Sequence, residues 1–134
     1  MSDQAPTVLA EQTRFVRAIP ALAVSDVPRA VAFFADVLGF DDVLAQADYG
    51  IARRDAVEVH FWVATGPEGS GAESRLAGTT SCRVQVDGIA ALYEHCQARQ
   101  VVHPDGGLRE QPWGAREFTI LDPDRNAVTF FEGT

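Results

Sequence analysis

The residues best placed to do chemistry lie in the run Val57–Val63, which reads VEVHFWV. In a strand, successive side chains alternate between two faces. Val57, Val59, Phe61 and Val63 then share an apolar face, and Glu58, His60 and Trp62 share the other. A carboxylate and an imidazole two residues apart on one face can move a proton or offer two metal ligands. An indole beside them offers a flat surface to a planar ligand. A second indole, Trp113, stands between Pro112 and Gly114 in EQPWGAREF, residues 110–118. Pro-Trp-Gly suits neither a helix interior nor a central strand, so Trp113 belongs to a loop. Two roles compete for it: stacking on a ligand, or covering a seam between subunits.

Other chemistries find weaker signals. No G-x-S-x-G elbow occurs. Residues 66–71, GPEGSG, lack the Lys-Ser/Thr of a phosphate-binding loop. His95 and His103 have no nucleophile at a telling spacing, and His95 falls on a helix as a surface or half-buried residue. Cys82 and Cys96 lie in apolar patterns without metal-site spacing, as small buried side chains do. With 134 residues, 46% hydrophobic and 22% charged, the chain reads as one globular domain, 1–134. Its formal charge of -8 repels a phosphate backbone and argues against nucleic acid. The same charge either steers a cationic ligand or simply keeps the protein soluble. There is no signal-peptide pattern and no apolar run of membrane length, so a soluble, cytoplasmic protein is expected.

The elements that position these residues follow from periodicity. Residues 1–13 are polar and irregular and read as a tail or as an arm that docks on a partner. Phe15–Val24 reads as a strand, and Pro20 either demotes it to a sheet edge or sits where no ladder donor is needed. Ser25 or Asp26 caps a helix with Pro28 in its first turn. Val27, Ala30, Val31, Phe34 and Leu38 line its buried face, and Gly39 ends it. Tyr49–Arg53 and Val57–Val63 make a strand pair turning near Arg54-Asp55. Residues 65–78 read as a linker. Then the pattern restarts. Thr80–Val86 is a strand, with Cys82, Val84 and Val86 on one face and Ser81, Arg83 and Gln85 on the other. Asp87 caps a helix from Gly88 to Gln100, which buries Ile89, Leu92, Tyr93 and Cys96. Strands Ala115–Leu121 and Ala127–Glu132 flank the turn Asp122–Asn126. In the last strand Val128 and Phe130 face the core, opposite Thr129 and Phe131.

Each half thus reads β-α-β-β-β, with module one about 15–64 and module two about 79–132. One helix cannot cover both faces of its sheet. Two modules therefore form an α+β fold, a curved mixed sheet with helices outside and a cup inside. The cup face carries Glu, His, Trp, Ser, Arg, Gln, Thr and Phe. That mixture suits a ligand cavity or an interface better than plain solvent.

Three phrases in order carry a resemblance: AIPALAVSDVPRAVAFFADVLGF, VEVHFW and EQPWGAREFTILDPDRNAVTFF. From Phe15 to Glu132 the chain resembles the vicinal oxygen chelate superfamily, which includes glyoxalase I and bleomycin-resistance proteins. EQPWG followed by REF and an Asp-Pro turn is most similar to the bleomycin-binding resistance proteins. The resemblance to the enzymes implies four metal-ligand positions, here Ile19, Glu58, Ser81 and Thr129. Ile19 has no donor, and Ser81 and Thr129 are poor ligands for the usual divalent ions, so no metal and no cofactor are expected. The resemblance to the resistance proteins implies a homodimer with strand or arm exchange, and sequestration of a flat, cationic, DNA-damaging antibiotic, bleomycin-like or enediyne-like, without chemistry. It implies a sandwich of the drug between Tyr49 of one subunit and Trp113 of the other. Asp48, Glu58 and Glu117 would draw a cationic tail, and Trp62, His60 and Phe131 would line the crevice. Arg83 stands where the family can have an aromatic residue, and its guanidinium plane can stack on a ring or meet an anionic group. Arg125 replaces the glycine of the usual Asp-Pro-Asp-Gly-Asn turn. An enzyme of the superfamily, a metal-dependent or metal-free lyase, isomerase or dioxygenase, is the alternative. A domain whose cup is filled at an interface is the third reading.

Overall fold

A computed structural model describes residues 12–64 and 75–133. Most of the arm and of the linker lie outside them. The elements are β1 (Ala21–Val24), α1 (Val27–Leu38), β2 (Asp42–Ala45), β3 (Tyr49–Arg54), β4 (Val57–Val63), β5 (Ser81–Gln85), α2 (Ile89–Ala98), β6 (Arg109–Glu110), β7 (Arg116–Leu121) and β8 (Ala127–Glu132). They form two four-stranded sheets, in the orders β1-β4-β3-β2 and β5-β8-β7-β6. In each, the outer pair is parallel and the remaining pairs are antiparallel. This is the expected α+β repeat.

Several boundaries differ from expectation. The first strand begins at Ala21 rather than Phe15, and Phe15 and Val16 stand 89% and 72% exposed. Pro20 has no N–H for a ladder, although its carbonyl still accepts from the His60 N–H at 3.0 Å. β1 is an edge strand, as that proline requires. Strands β2 and β6 carry no alternation signal. β2 is exposed throughout, and β6 has 2 residues.

α1 forms as its sequence dictates. The Asp26 carboxylate accepts from the Arg29 N–H at 3.1 Å, and Gly39, at φ 73, closes the helix. All five expected core residues are buried, and Phe34 meets Phe40 and Phe61 edge-on at 5.1 and 4.9 Å. The start of α2 corrects the sequence reading. Its N-cap is Gly88 at φ 82, not Asp87, and no local side chain caps it. Glu132 at the end of β8 takes the Ile89 N–H at 2.9 Å instead. A left-handed residue at this position favours glycine, and it places Asp87 outside the helix. The helix ends at Ala98, two residues short of the expected Gln100, which itself has φ 60.

Arg125 adopts φ 74. The Asp122 carboxylate holds this turn by accepting from the N–H groups of Asp124 at 3.0 Å and Asn126 at 2.7 Å. The same turn joins the modules. Ala23, on the free edge of β1, accepts from the Asn126 amide at 2.9 Å and donates to the Thr80 hydroxyl at 3.2 Å. Ser25 donates to Asp124 at 2.6 Å. From α2, His95 and Arg99 donate to the last carbonyls of α1, those of Val37 at 2.7 Å and Asp36 at 3.3 Å.

The helix-facing residues of both sheets enter one core, Val59 and Phe61 from the first, Val84, Phe118 and Phe130 from the second. A cleft of about 800 Å³, lined by Leu38, Phe40, Val57, Val84 and Phe130, continues that core toward solvent. The polar faces of the two sheets turn away from this shared core. Among the described residues no helix is long and apolar enough to cross a membrane.

Candidate ligand-binding site

The β3–β4 register sets the first half of the site. Tyr49 pairs with Trp62, Ile51 with His60 and Arg53 with Glu58. Residues directly opposite share a face, so Tyr49, Trp62, His60 and Glu58 lie together on the face away from α1. A hydrogen-bonded chain runs along it. The Tyr49 hydroxyl lies 2.6 Å from His60 Nδ1, and His60 Nε2 lies 2.5 Å from Glu58 Oε2. An ionised carboxylate only accepts, so Nε2 carries the proton and Nδ1 accepts from the phenol. The other Glu58 oxygen accepts from Arg53 at 3.0 Å and from Arg17 at 3.1 Å. The Glu58 side chain is only 9% exposed. The His60 hydrogen bond, joined by that of Arg53 and by the charges of both arginines and opposed by burial, pulls its pKa down to about 2.

The second half is built on β5, β7 and β8. Arg83 stands opposite Thr129, and Phe131 lies between Gln85 and Glu117. Arg83 meets Glu117 through two nitrogens, at 2.9 and 3.4 Å, and its guanidinium lies 4.6 Å over the Phe131 ring. The indole N–H of Trp113 donates to Glu117 at 3.1 Å. The Arg83 hydrogen bond, with a further contribution from Trp113 and against the effect of burial, holds the Glu117 pKa below its ordinary value. Trp113 occupies the tight turn 111–114, closed by a hydrogen bond from the Gly114 N–H to the Gln111 carbonyl at 2.9 Å. Proline at the second position and glycine at the fourth are the residues such a turn favours, and Gly114 has φ 97. The indole is 58% exposed and Tyr49 is 39% exposed.

The eight candidate residues thus fall on two faces. Tyr49, His60, Glu58 and Trp62 share the first sheet, and Arg83, Phe131 and Trp113 gather around Glu117 on the second. Asp48 is exposed just before β3, where its carbonyl accepts from the Val63 N–H at 3.3 Å. None of them lines the helix-side cleft. Arg53 and Arg17 lie outside the set of site residues expected from the sequence. Arg53 was legible, because a turn at Arg54-Asp55 places it opposite Glu58. Arg17 reaches Glu58 from outside any ladder, and no local pattern signals that.

The donor set does not fit the superfamily's metal. Ile19 offers no ligand, Thr129 is hydrogen-bonded to Thr119 at 2.8 Å, and both Glu58 oxygens are engaged. Among the described residues no group of three His, Cys, Asp or Glu could hold an ion. Burial pushes the thiols of Cys82 and Cys96 up to about 11, which leaves neither a ready nucleophile.

Residues 15–130 match the model of the glyoxalase/bleomycin resistance protein/dioxygenase superfamily. A bleomycin resistance protein of Geobacillus stearothermophilus is 36% identical over 127 residues, spanning 87% of this chain and 96% of its own. The structure of a bleomycin-binding protein from bleomycin-producing Streptomyces verticillus, complexed with copper(II)-bleomycin, superposes with TM-score 0.70 at 30% identity, covering 92% of this chain and 100% of that one. A lactoylglutathione lyase from Agrobacterium tumefaciens shares the fold at TM-score 0.69 and 18% identity, over 90% of this chain and 95% of that one.

Proposed function

As the chain belongs to the glyoxalase/bleomycin resistance protein/dioxygenase superfamily, we propose that it sequesters a flat aromatic, DNA-damaging antibiotic of the bleomycin kind without altering it. The observation that carries this reading is the pair of exposed rings, Trp113 and Tyr49, each tied by its polar end to a polar sheet face. The exposed part of each ring offers a flat surface to a planar guest. Each aromatic stack adds about 0.5–1.5 kcal/mol beyond area burial. The relatives named for bleomycin resistance and bleomycin binding support the same ligand class.

The protein acts as a cytoplasmic homodimer of a two-module domain. Tyr49 and Trp113 belong to different sheets, whose polar faces turn away from the shared core. A second copy brings the first sheet of one subunit against the second sheet of its partner and closes two crevices. The exposed Phe15 and Val16 are the apolar part of an arm suited to exchange. One observation favours a second reading. His60 between a phenol and a carboxylate is an arrangement able to transfer a proton.

Titration with metal-free and copper-loaded bleomycin, followed by quenching of Trp62 and Trp113, tests the proposal. Saturable quenching and recovery of unchanged drug by mass spectrometry are expected. A recovered product of altered mass establishes the enzymatic reading instead. If Trp113→Ala binds as tightly as the parent, the sandwich is wrong.

A further inference from the structure

Both stacking rings end on the same device. On each sheet a largely buried glutamate is fixed by arginine and holds an exposed aromatic residue. Glu117, its side chain 10% exposed, pairs with Arg83 and accepts the Trp113 N–H. Glu58, 9% exposed, pairs with Arg53 and Arg17 and orients His60, which accepts the Tyr49 hydroxyl. We propose that Glu117 and the Glu58–His60 pair are positioning residues that pre-set the two walls of the slot before the ligand arrives. This deepens the sequestration reading and rests on it. Neither carboxylate is then available to draw a cationic tail, because arginine already neutralises both.

The advantage of a pre-set wall is entropic. A tryptophan on a surface turn has two side-chain torsions to lose when a ring stacks on it. Each side chain immobilised on binding carries an entropic cost that weakens affinity. A hydrogen bond formed in the free protein removes that cost from binding. The acceptor must itself be rigid, and two arginine contacts on Glu117 provide that. Tyr49 gains a similar anchor through its hydroxyl.

The experiment has two arms. In the first, Trp62→Phe leaves Trp113 as the only indole, and time-resolved anisotropy of the drug-free protein reports its local motion. Glu117→Ala is expected to free the indole, whereas Glu117→Gln keeps it slow, since the amide oxygen can still accept. In chains that retain Trp62, calorimetric titration with bleomycin should show Glu117→Ala binding about tenfold more weakly. An indole equally immobile in Glu117→Ala, or freed with no loss of affinity, overturns the proposal. The second arm is a double-mutant cycle of Tyr49→Phe and His60→Ala. His60→Ala should weaken binding in the parent and have no further effect on Tyr49→Phe. Equal losses in both backgrounds overturn the role of His60 even if Glu117→Ala fails to fold. If the parent binds no bleomycin, the sequestration reading falls, and the anisotropy arm still decides whether Glu117 holds Trp113.

Discussion

At the scale of single residues, the proposed function is tested at Trp113 and Glu58. The Pro-Trp-Gly turn makes Trp113 legible as a loop residue, and the structure adds that its N–H is taken by Glu117. Trp113→Ala should lower drug affinity by roughly tenfold or more, and Trp113→Phe by less, since one aromatic stack is worth about 0.5–1.5 kcal/mol before area burial is counted. Fluorescence or calorimetric titration checks both. Glu58 predicts a pH dependence. Its folded pKa, about 2, lies below its ordinary value of 4.5. A depressed carboxylate contributes stability that is fully present above its unfolded pKa and is lost as the group protonates in the folded state. Thermal melts of the parent should therefore fall between about pH 4.5 and pH 2, and Glu58→Gln should flatten that limb. That Glu58 shares a face with His60 and Trp62 follows from alternation alone. Its low pKa follows only in part, since His60 shares that face but Arg17 comes from a distant segment.

The helices show how far local signals reach at the scale of elements. α1 has its cap, its first-turn proline and its terminal glycine in sequence. Asp26→Ala should destabilise the protein by about 1 kcal/mol, read by chemical denaturation. α2 has no such internal cap and depends on a carboxylate from β8. Glu132→Ala should lower the melting temperature, while Asp87→Ala should leave it nearly unchanged. The opposite ranking would restore Asp87 as the cap. β2 and β6 escape a periodicity reading for a related reason. They are held by neighbours that have strong patterns of their own, β3 and β7.

The whole molecule turns on two junctions. Within the chain, buried Asn126 accepts from Gly78 and Thr80 and donates to Ala23 and Asp122. Asn126→Ala leaves several of these groups unpaired and should cost roughly 3 kcal/mol, measurable by denaturant unfolding. Between chains, the proposed crevice takes Tyr49 from one subunit and Trp113 from the other. Tyr49→Ala and Trp113→Ala homodimers should each bind bleomycin poorly. Mixed after unfolding and refolding together, they should regain binding, because one crevice of the heterodimer keeps both rings. No recovery would place both rings in the same subunit.

Alternation, caps and turn residues determine the repeated β-α-β-β-β order, the two faces of each sheet and a tryptophan on a turn, since these depend on neighbours a few residues apart. The family phrases add the ligand class. Contacts between distant segments decide the rest. Ala23 meets Asn126 across 103 positions, Glu58 meets Arg17 across 41, and Arg83 meets Glu117 across 34. Such pairs form only once the sheets are assembled, and no local period encodes them. They leave Glu58 and Glu117 occupied by arginine, with Glu58 also on His60 and Glu117 also on the Trp113 N–H.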